Sequence, residues 1–185
     1  MASVETVADS SERLVKFLEE TNLHKKDFAE MIGVTLSYVY SLIGAEVSFS
    51  TRTTTLERIA VVMGVPPESF PEYKNSEEPK LIDYGIQFLK EKQKEAGLTN
   101  VQLLKRFPRA QRVEVVDMLR GALPLPLDWN QLSAIGEVLN IPKDELYPYW
   151  ETRLQQHLIA GGIDPLSNAP LIQAMFKGIK SFLKV

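Results

Sequence analysis

The sequence predicts an all-α chain in which two tandem helix-turn-helix units are followed by a C-terminal amphipathic helix. Three observations predict it. Two short amphipathic runs meet at Ile32-Gly33-Val34 and continue through Thr35. A spacing of apolar residues with a Gly- or Asn-Ile/Val-Pro ending recurs 76 residues later. A broad apolar stripe then closes the chain.

Residues 1–10 read as a flexible N-terminal tail, because chain ends without apolar periodicity fray. A first helix follows, with Ser10 or Ser11 as its cap and Leu14, Phe17 and Leu18 as its inner face. In the next helix Phe28, Ala29 and Ile32 stand at i, i+1 and i+4, one stripe of a helix. Gly33 can take a positive φ without steric cost, which suits a helix end and a tight turn. Thr35 can cap the following helix through its hydroxyl. In that helix Val39 and Leu42 point to a core. Ser37, Tyr40, Ser41 and Gly44, at i, i+3, i+4 and i+7, form a separate, mostly polar face. Residues 45–54 read as a polar loop containing Arg52. Leu56 to Met63 is a fourth helix, and Pro66 starts a fifth, because proline suits a first turn.

Leu23, Phe28-Ala29, Ile32-Gly33-Val34-Thr35, Ser37-Tyr38-Val39, Leu42 and the later run Leu56, Ile59-Ala60, Met63-Gly64-Val65-Pro66 resemble, in combination, the lambda-repressor-like (XRE-type) helix-turn-helix family. The resemblance covers residues 11–74. It implies a DNA-binding transcriptional regulator whose second helix of the motif enters the major groove. Lys25 and Lys26 would then meet phosphate, and Thr35, Ser37, Tyr40 and Ser41 would face bases. Arg52 stands in a loop with the length and hydroxyls to touch the backbone. The groove-facing positions carry no Arg, Lys, Gln or Asn, the usual base readers. A second class therefore stays open: a protein-interaction module that retains the helix-turn-helix fold without reading DNA sequence.

Residues 75–80, Asn-Ser-Glu-Glu-Pro-Lys, read as a linker. Beyond it, residues 81–150 resemble a divergent second unit. Leu132, Ile135, Val138-Leu139-Asn140-Ile141-Pro142 answer to Leu56, Ile59, Val62-Met63-Gly64-Val65-Pro66. Phe107-Pro108 stands where Ile32-Gly33 stood, and proline cannot copy the backbone conformation that glycine allows. Residues 11–74 carry seven Lys or Arg and nine Asp or Glu, whereas residues 81–150 carry nine of each. Arg106, Arg109 and Arg112 recur at i, i+3 and i+6, roughly one side of a helix running through them. They read either as a phosphate-contacting patch or as an ordinary solvated face.

Residues 151–185 form a helical extension. A long helix from Asp144 to Ala160 should stop at Gly161-Gly162. After a loop, Leu171, Ile172, Met175, Phe176, Ile179, Phe182 and Leu183 make a wide stripe. It either packs on its own chain or forms a homodimer contact through Leu171, Met175, Phe176, Ile179 and Phe182.

The net charge of −3 over 185 residues gives no global basic footprint. Absence of cysteine excludes disulfides and thiolate metal sites. No apolar run approaches the ~20 residues that span a bilayer, and the first ten residues lack a secretory pattern. A cytoplasmic protein without cofactor or membrane partner is the expectation. The two histidines, His24 and His157, have no second ligand at zinc spacing. With no nucleophile elbow, phosphate-cradling loop or paired-carboxylate signature, the sequence argues against an enzyme.

Overall fold

The computed structural model describes residues 4–47, 49, 52–74 and 84–183. The described residues form ten α-helices and no strand, the all-α class that the apolar periodicity predicts. They divide into two compact units, Met1–Pro124 and Leu125–Val185. The repeat and the compact units are thus different partitions of the chain. The linker expected at residues 75–80 lies outside the described residues.

The first unit holds α1 (Val4–Glu20), α2 (Lys25–Ile32), α3 (Leu36–Ile43), α4 (Thr53–Met63), α5 (Tyr84–Glu95), α6 (Asn100–Arg106) and α7 (Arg112–Leu119). α1 begins at Val4, so residues 4–10, expected as tail, are helical and Ser10 and Ser11 are not caps. Both serines are buried inside the helix. Ser10 Oγ donates to Glu72 Oε2 at 2.8 Å and Ser11 Oγ to the Leu42 carbonyl at 2.5 Å. Buried hydroxyls need such partners, and they hold the helix to the rest of the unit.

Gly33 ends α2 in the left-handed region, at φ 71°, and the Val34 amide returns to the Ala29 carbonyl. Thr35 then caps α3 by accepting from the Tyr38 amide at 3.2 Å. The expected helix, glycine turn and capped helix are all present. Phe28, Ala29, Met31 and Ile32 on α2 and Val39 and Leu42 on α3 are buried. The fifth helix expected after Pro66 is a single 3-10 turn, Pro67–Ser69. Phe70 closes that turn and buries its ring against Phe49 with ring centroids 5.9 Å apart. Arg13 of α1 donates to the Ser69 carbonyl and lies over the Phe70 ring.

α2 packs against α7 as well as against α3 and α4, and α4 packs against both α6 and α7. On α7, Val115, Val116, Met118 and Leu119 are buried. Ion pairs join α7 to α4. Arg58 Nε and Nη2 donate to the two carboxylate oxygens of Asp117 at 2.8 and 2.7 Å. Arg120 donates to Asp117 Oδ1 and to Glu57 Oε2, both at 2.7 Å, and Tyr73 donates to the other oxygen of Glu57 at 3.1 Å. Burial alone would raise the Asp117 pKa. The hydrogen bonds and charges of Arg58 and Arg120 outweigh it and hold the carboxyl below its ordinary value.

The second unit holds α8 (Trp129–Leu139), α9 (Lys143–Ala160) and α10 (Ala169–Leu183). Asn140 ends α8 in the left-handed region at φ 56°, as Gly64 ends α4 at φ 71°. The amide after each reaches back, Ile141 to Gly136 and Val65 to Ala60. The local copy therefore holds through this turn. It then diverges, because the second proline opens the 18-residue α9 instead of a 3-10 turn. Trp129, Tyr147 and Trp150 cluster with centroids 5.7 to 6.1 Å apart. Tyr147 Oη donates to the Phe176 carbonyl at 2.9 Å and the Trp150 indole to the Leu127 carbonyl at 2.7 Å. Gly161 ends α9 as expected.

Candidate nucleic-acid interface

The two helices joined at Gly33 place the expected contact residues unevenly. Lys25 and Lys26 open α2 and are exposed. Lys25 Nζ stands 5.4 Å over the ring of Tyr40, which is 55% exposed. A cation above an aromatic face is attracted by the ring quadrupole, so the pair fixes the mouth of α2 against the middle of α3. Thr35, Ser37 and Gly44 are exposed on α3 together with Tyr40. Ser41 is half-buried and donates to the Glu46 carboxylate at 3.1 Å. The expected base-facing surface thus carries a carboxylate beside it that helical spacing does not reveal. Leu36, also exposed, stands one helical turn from Tyr40.

Arg52 is the N-cap position of α4, exposed and without a capping side-chain bond. Its loop neighbours Ser48, Ser50 and Thr51 lie outside the described residues.

Arg106, Arg109 and Arg112 do not share a helix face. Arg106 ends α6, Arg109 opens a separate 3-10 turn, Arg109–Gln111, and Arg112 opens α7. Pro108 is the cause: its extended backbone, φ −52° and ψ 143°, divides the run. Arg112 Nε donates to the Phe107 carbonyl at 3.2 Å. Arg109 reaches α2, where its guanidinium lies 3.6 Å from Asp27 Oδ1 and 3.3 Å from Glu30 Oε2. It remains 62% exposed, so water screens these pairs.

Arg109, Lys25, Lys26 and Tyr40 line one groove of about 660 Å³ whose apolar wall includes Leu18, Leu23, Leu36 and Ile43. Two of the three arginines thus stand apart from this groove, while Arg109 joins it by a fold-back that linear spacing does not reveal. The groove's apolar wall was legible only in part, because Leu36 and Ile43 flank the polar positions of α3 and belong to neither of its two stripes.

At the sequence offset of 76 residues α7 answers to α3. It is committed to packing: Asp117 and the buried apolar residues around it face the core. His24 lies at the start of α2 without a cap bond, and His157 is exposed on α9. No group of three His, Asp or Glu among the described residues is arranged to hold a metal ion. No described helix is long and apolar enough to cross a membrane.

No family model, curated protein or solved structure matches the chain.

Proposed function

We propose that the chain is a DNA-binding transcriptional regulator of the XRE-like kind, contacting duplex DNA through α2 and α3 and working in the cytoplasm by binding rather than catalysis. The observation that carries this reading is the groove at the exposed face of α3, lined by Lys25, Lys26 and Arg109 against two carboxylates, Glu19 and Asp27. Lys25 stands over Tyr40, and Lys26 and Arg109 line the same groove. In this reading the cations meet phosphate, which positions the protein, and Ser37 and Tyr40 meet base edges. Arg109 also offsets Asp27 and Glu30, carboxylates that would otherwise repel the backbone. Contact by α7 is not part of the proposal, since its apolar residues are in the core.

The test is binding to random and selected duplexes across a salt series, with wild type and a Lys25→Ala, Lys26→Ala double variant. The reading expects the slope of log K against log salt to fall by about 2, because each lysine removed leaves one phosphate with its counterions. An unchanged slope, or no duplex binding at low salt, defeats it.

A protein-interaction module is the second reading, favoured by one observation. Leu36 and Tyr40 are both exposed beside an apolar groove wall, and Glu46 stands next to Ser41. Such a surface suits a peptide with an apolar anchor better than it suits phosphates.

A further inference from the structure

The apolar stripe of α10 divides. Ile172 and Phe176 are buried in their own unit, so Phe176, expected among the dimer contacts, is turned inward, whereas Leu171 and Phe182 are exposed.

A cavity in the first unit has a more definite chemistry. It measures about 500 Å³ and draws its walls from α4, the 3-10 turn beyond it, α5, α6 and the end of α7. One side is apolar: Ala60 and Val61 of α4, Val65 and Pro67 just past its end, and Leu119 of α7. That size and that mixture of walls suit a small organic molecule.

The polar side leaves one charge over. Glu57 is buried and accepts at both oxygens, from Tyr73 and from Arg120. Arg120 donates from Nε to Asp117 and from Nη1 to Glu57, and Arg58 holds both oxygens of Asp117. Two guanidiniums thus balance two carboxylates. Nη2 of Arg120 stands outside these bonds. Lys90 of α5 also lines the cavity, is exposed, and has no ion pair among the described residues. The lining therefore sets two cations, Lys90 and Arg120, against one carboxylate, Glu57. What it has to spare at the charged end is donors.

The frame around these donors is already built. The buried amide of Gln93 donates to the Leu98 carbonyl and to Asn100 Oδ1, and Asn100 donates in turn to the Val61 carbonyl. These bonds tie α5 and α6 to α4, so a ligand need not order the walls when it binds.

We propose that this cavity binds a small organic acid, its carboxylate between Lys90 and the unengaged edge of Arg120 and its apolar body against Val61, Val65 and Pro67. A carboxylate accepts only, and it matches a guanidinium edge and an ammonium in geometry and charge. A cation would be repelled by Lys90, and a neutral molecule would leave its charge without a counterpart. An inorganic anion would leave the apolar side unfilled. The cavity shares no lining residue with the groove at α2 and α3, so the proposal does not rest on the DNA reading.

Phenylacetate, phenylacetamide and acetate are titrated separately into the full, isotopically labelled chain, and the amide resonances are followed by NMR. Phenylacetate should shift Gly64, Val65, Gln93 and Asn100 saturably, with a Kd of about 1 mM or below. The neutral amide and the bodiless acetate should each bind at least about tenfold more weakly, equivalent to ~1.4 kcal/mol. Lys90→Gln changes an exposed side chain and should leave the melting curve as it is. It should bring phenylacetate down to the affinity of phenylacetamide. Absence of a saturable shift at up to about 10 mM, a level that detects even binding worth only ~3 kcal/mol, overturns the proposal. So does equal affinity for acid and amide, equal affinity for phenylacetate and acetate, or a Lys90→Gln chain that binds as wild type does. Shifts confined to Lys25 and Tyr40 would put the acid in the other groove and also defeat it. A tetrapeptide ending in phenylalanine that binds about tenfold tighter than phenylacetate would replace the small acid with a chain end.

Discussion

Arg58 of α4 grips Asp117 of α7 with two hydrogen bonds of 2.8 and 2.7 Å, across 59 positions of sequence. The pair is mostly shielded: the Arg58 side chain is 21% exposed and that of Asp117 is 11% exposed. Removing Asp117 leaves Arg58 without its carboxylate, whereas removing Arg58 leaves Asp117 paired with Arg120. Asp117→Asn should therefore destabilise the first unit by about 3 kcal/mol, near the lower end for a broken buried pair. Chemical denaturation of the variant checks this. Arg58→Ala should cost less, because Arg120 still pairs Asp117, and the double change should cost less than the sum.

The same carboxylate gives the fold a direction with pH. Its folded pKa is lowered, so the folded state favours the ionised form. The stability it contributes is fully present above the ordinary carboxylate value of about 3.9 and is lost as pH falls from there through the lowered folded value. Denaturation midpoints measured as pH falls from about 6 towards about 2 should fall more steeply for wild type than for Asp117→Asn.

Val39 and Tyr40 are neighbours with opposite duties. Val39 is fully buried and Tyr40 is more than half exposed. Val39→Ala should cost about 1–2 kcal/mol of stability, the loss of two core methyls. Tyr40→Ala should leave the melting curve nearly unchanged and weaken binding to a selected duplex by about 1–3 kcal/mol. The reverse pattern would place the wrong face of α3 against the partner.

Gly136 marks the close approach of α8 and α9. A Cβ there would overlap Leu146 Cδ1. Gly136→Ala gains about 1 kcal/mol of helix propensity but incurs the larger strain of overpacking, about 1–3 kcal/mol. The net loss should be recovered in a Gly136→Ala, Leu146→Ala double variant less the cost of the cavity, and thermal melts of the three chains measure it.

How much could be read beforehand divides along a physical line. Gly33 and Thr35 and the stop at Gly161 are decided by neighbours in sequence, and all stand as expected. Phe49 sits in a stretch that reads as polar loop, yet its ring is buried on Phe70; one aromatic among serines gives no periodic signal. Arg58–Asp117 and Arg120–Glu57 join residues 59 and 63 positions apart, so no local pattern announces them. The basic run around Arg109 resembles a helix face because spacing alone cannot show where Pro108 redirects the chain. For the candidate interface, exposure of Lys25, Lys26 and Tyr40 follows from the amphipathic pattern. The arrival of Arg109 beside α2 depends on tertiary packing.

The bond between Arg58 and Asp117 also sets a schedule. During synthesis α4 is made well before α7, and Glu57 and Arg58 must wait for their counterparts to emerge. Until then nothing from α7 covers the side of α2 and α4 that it packs on. Closing so long a loop comes late, and its entropy is offset only when the closure is complete. α4 and α7 should accordingly exchange their amide protons as one cooperative block, with the newborn N-terminal half relying on whatever shelters it at the ribosome.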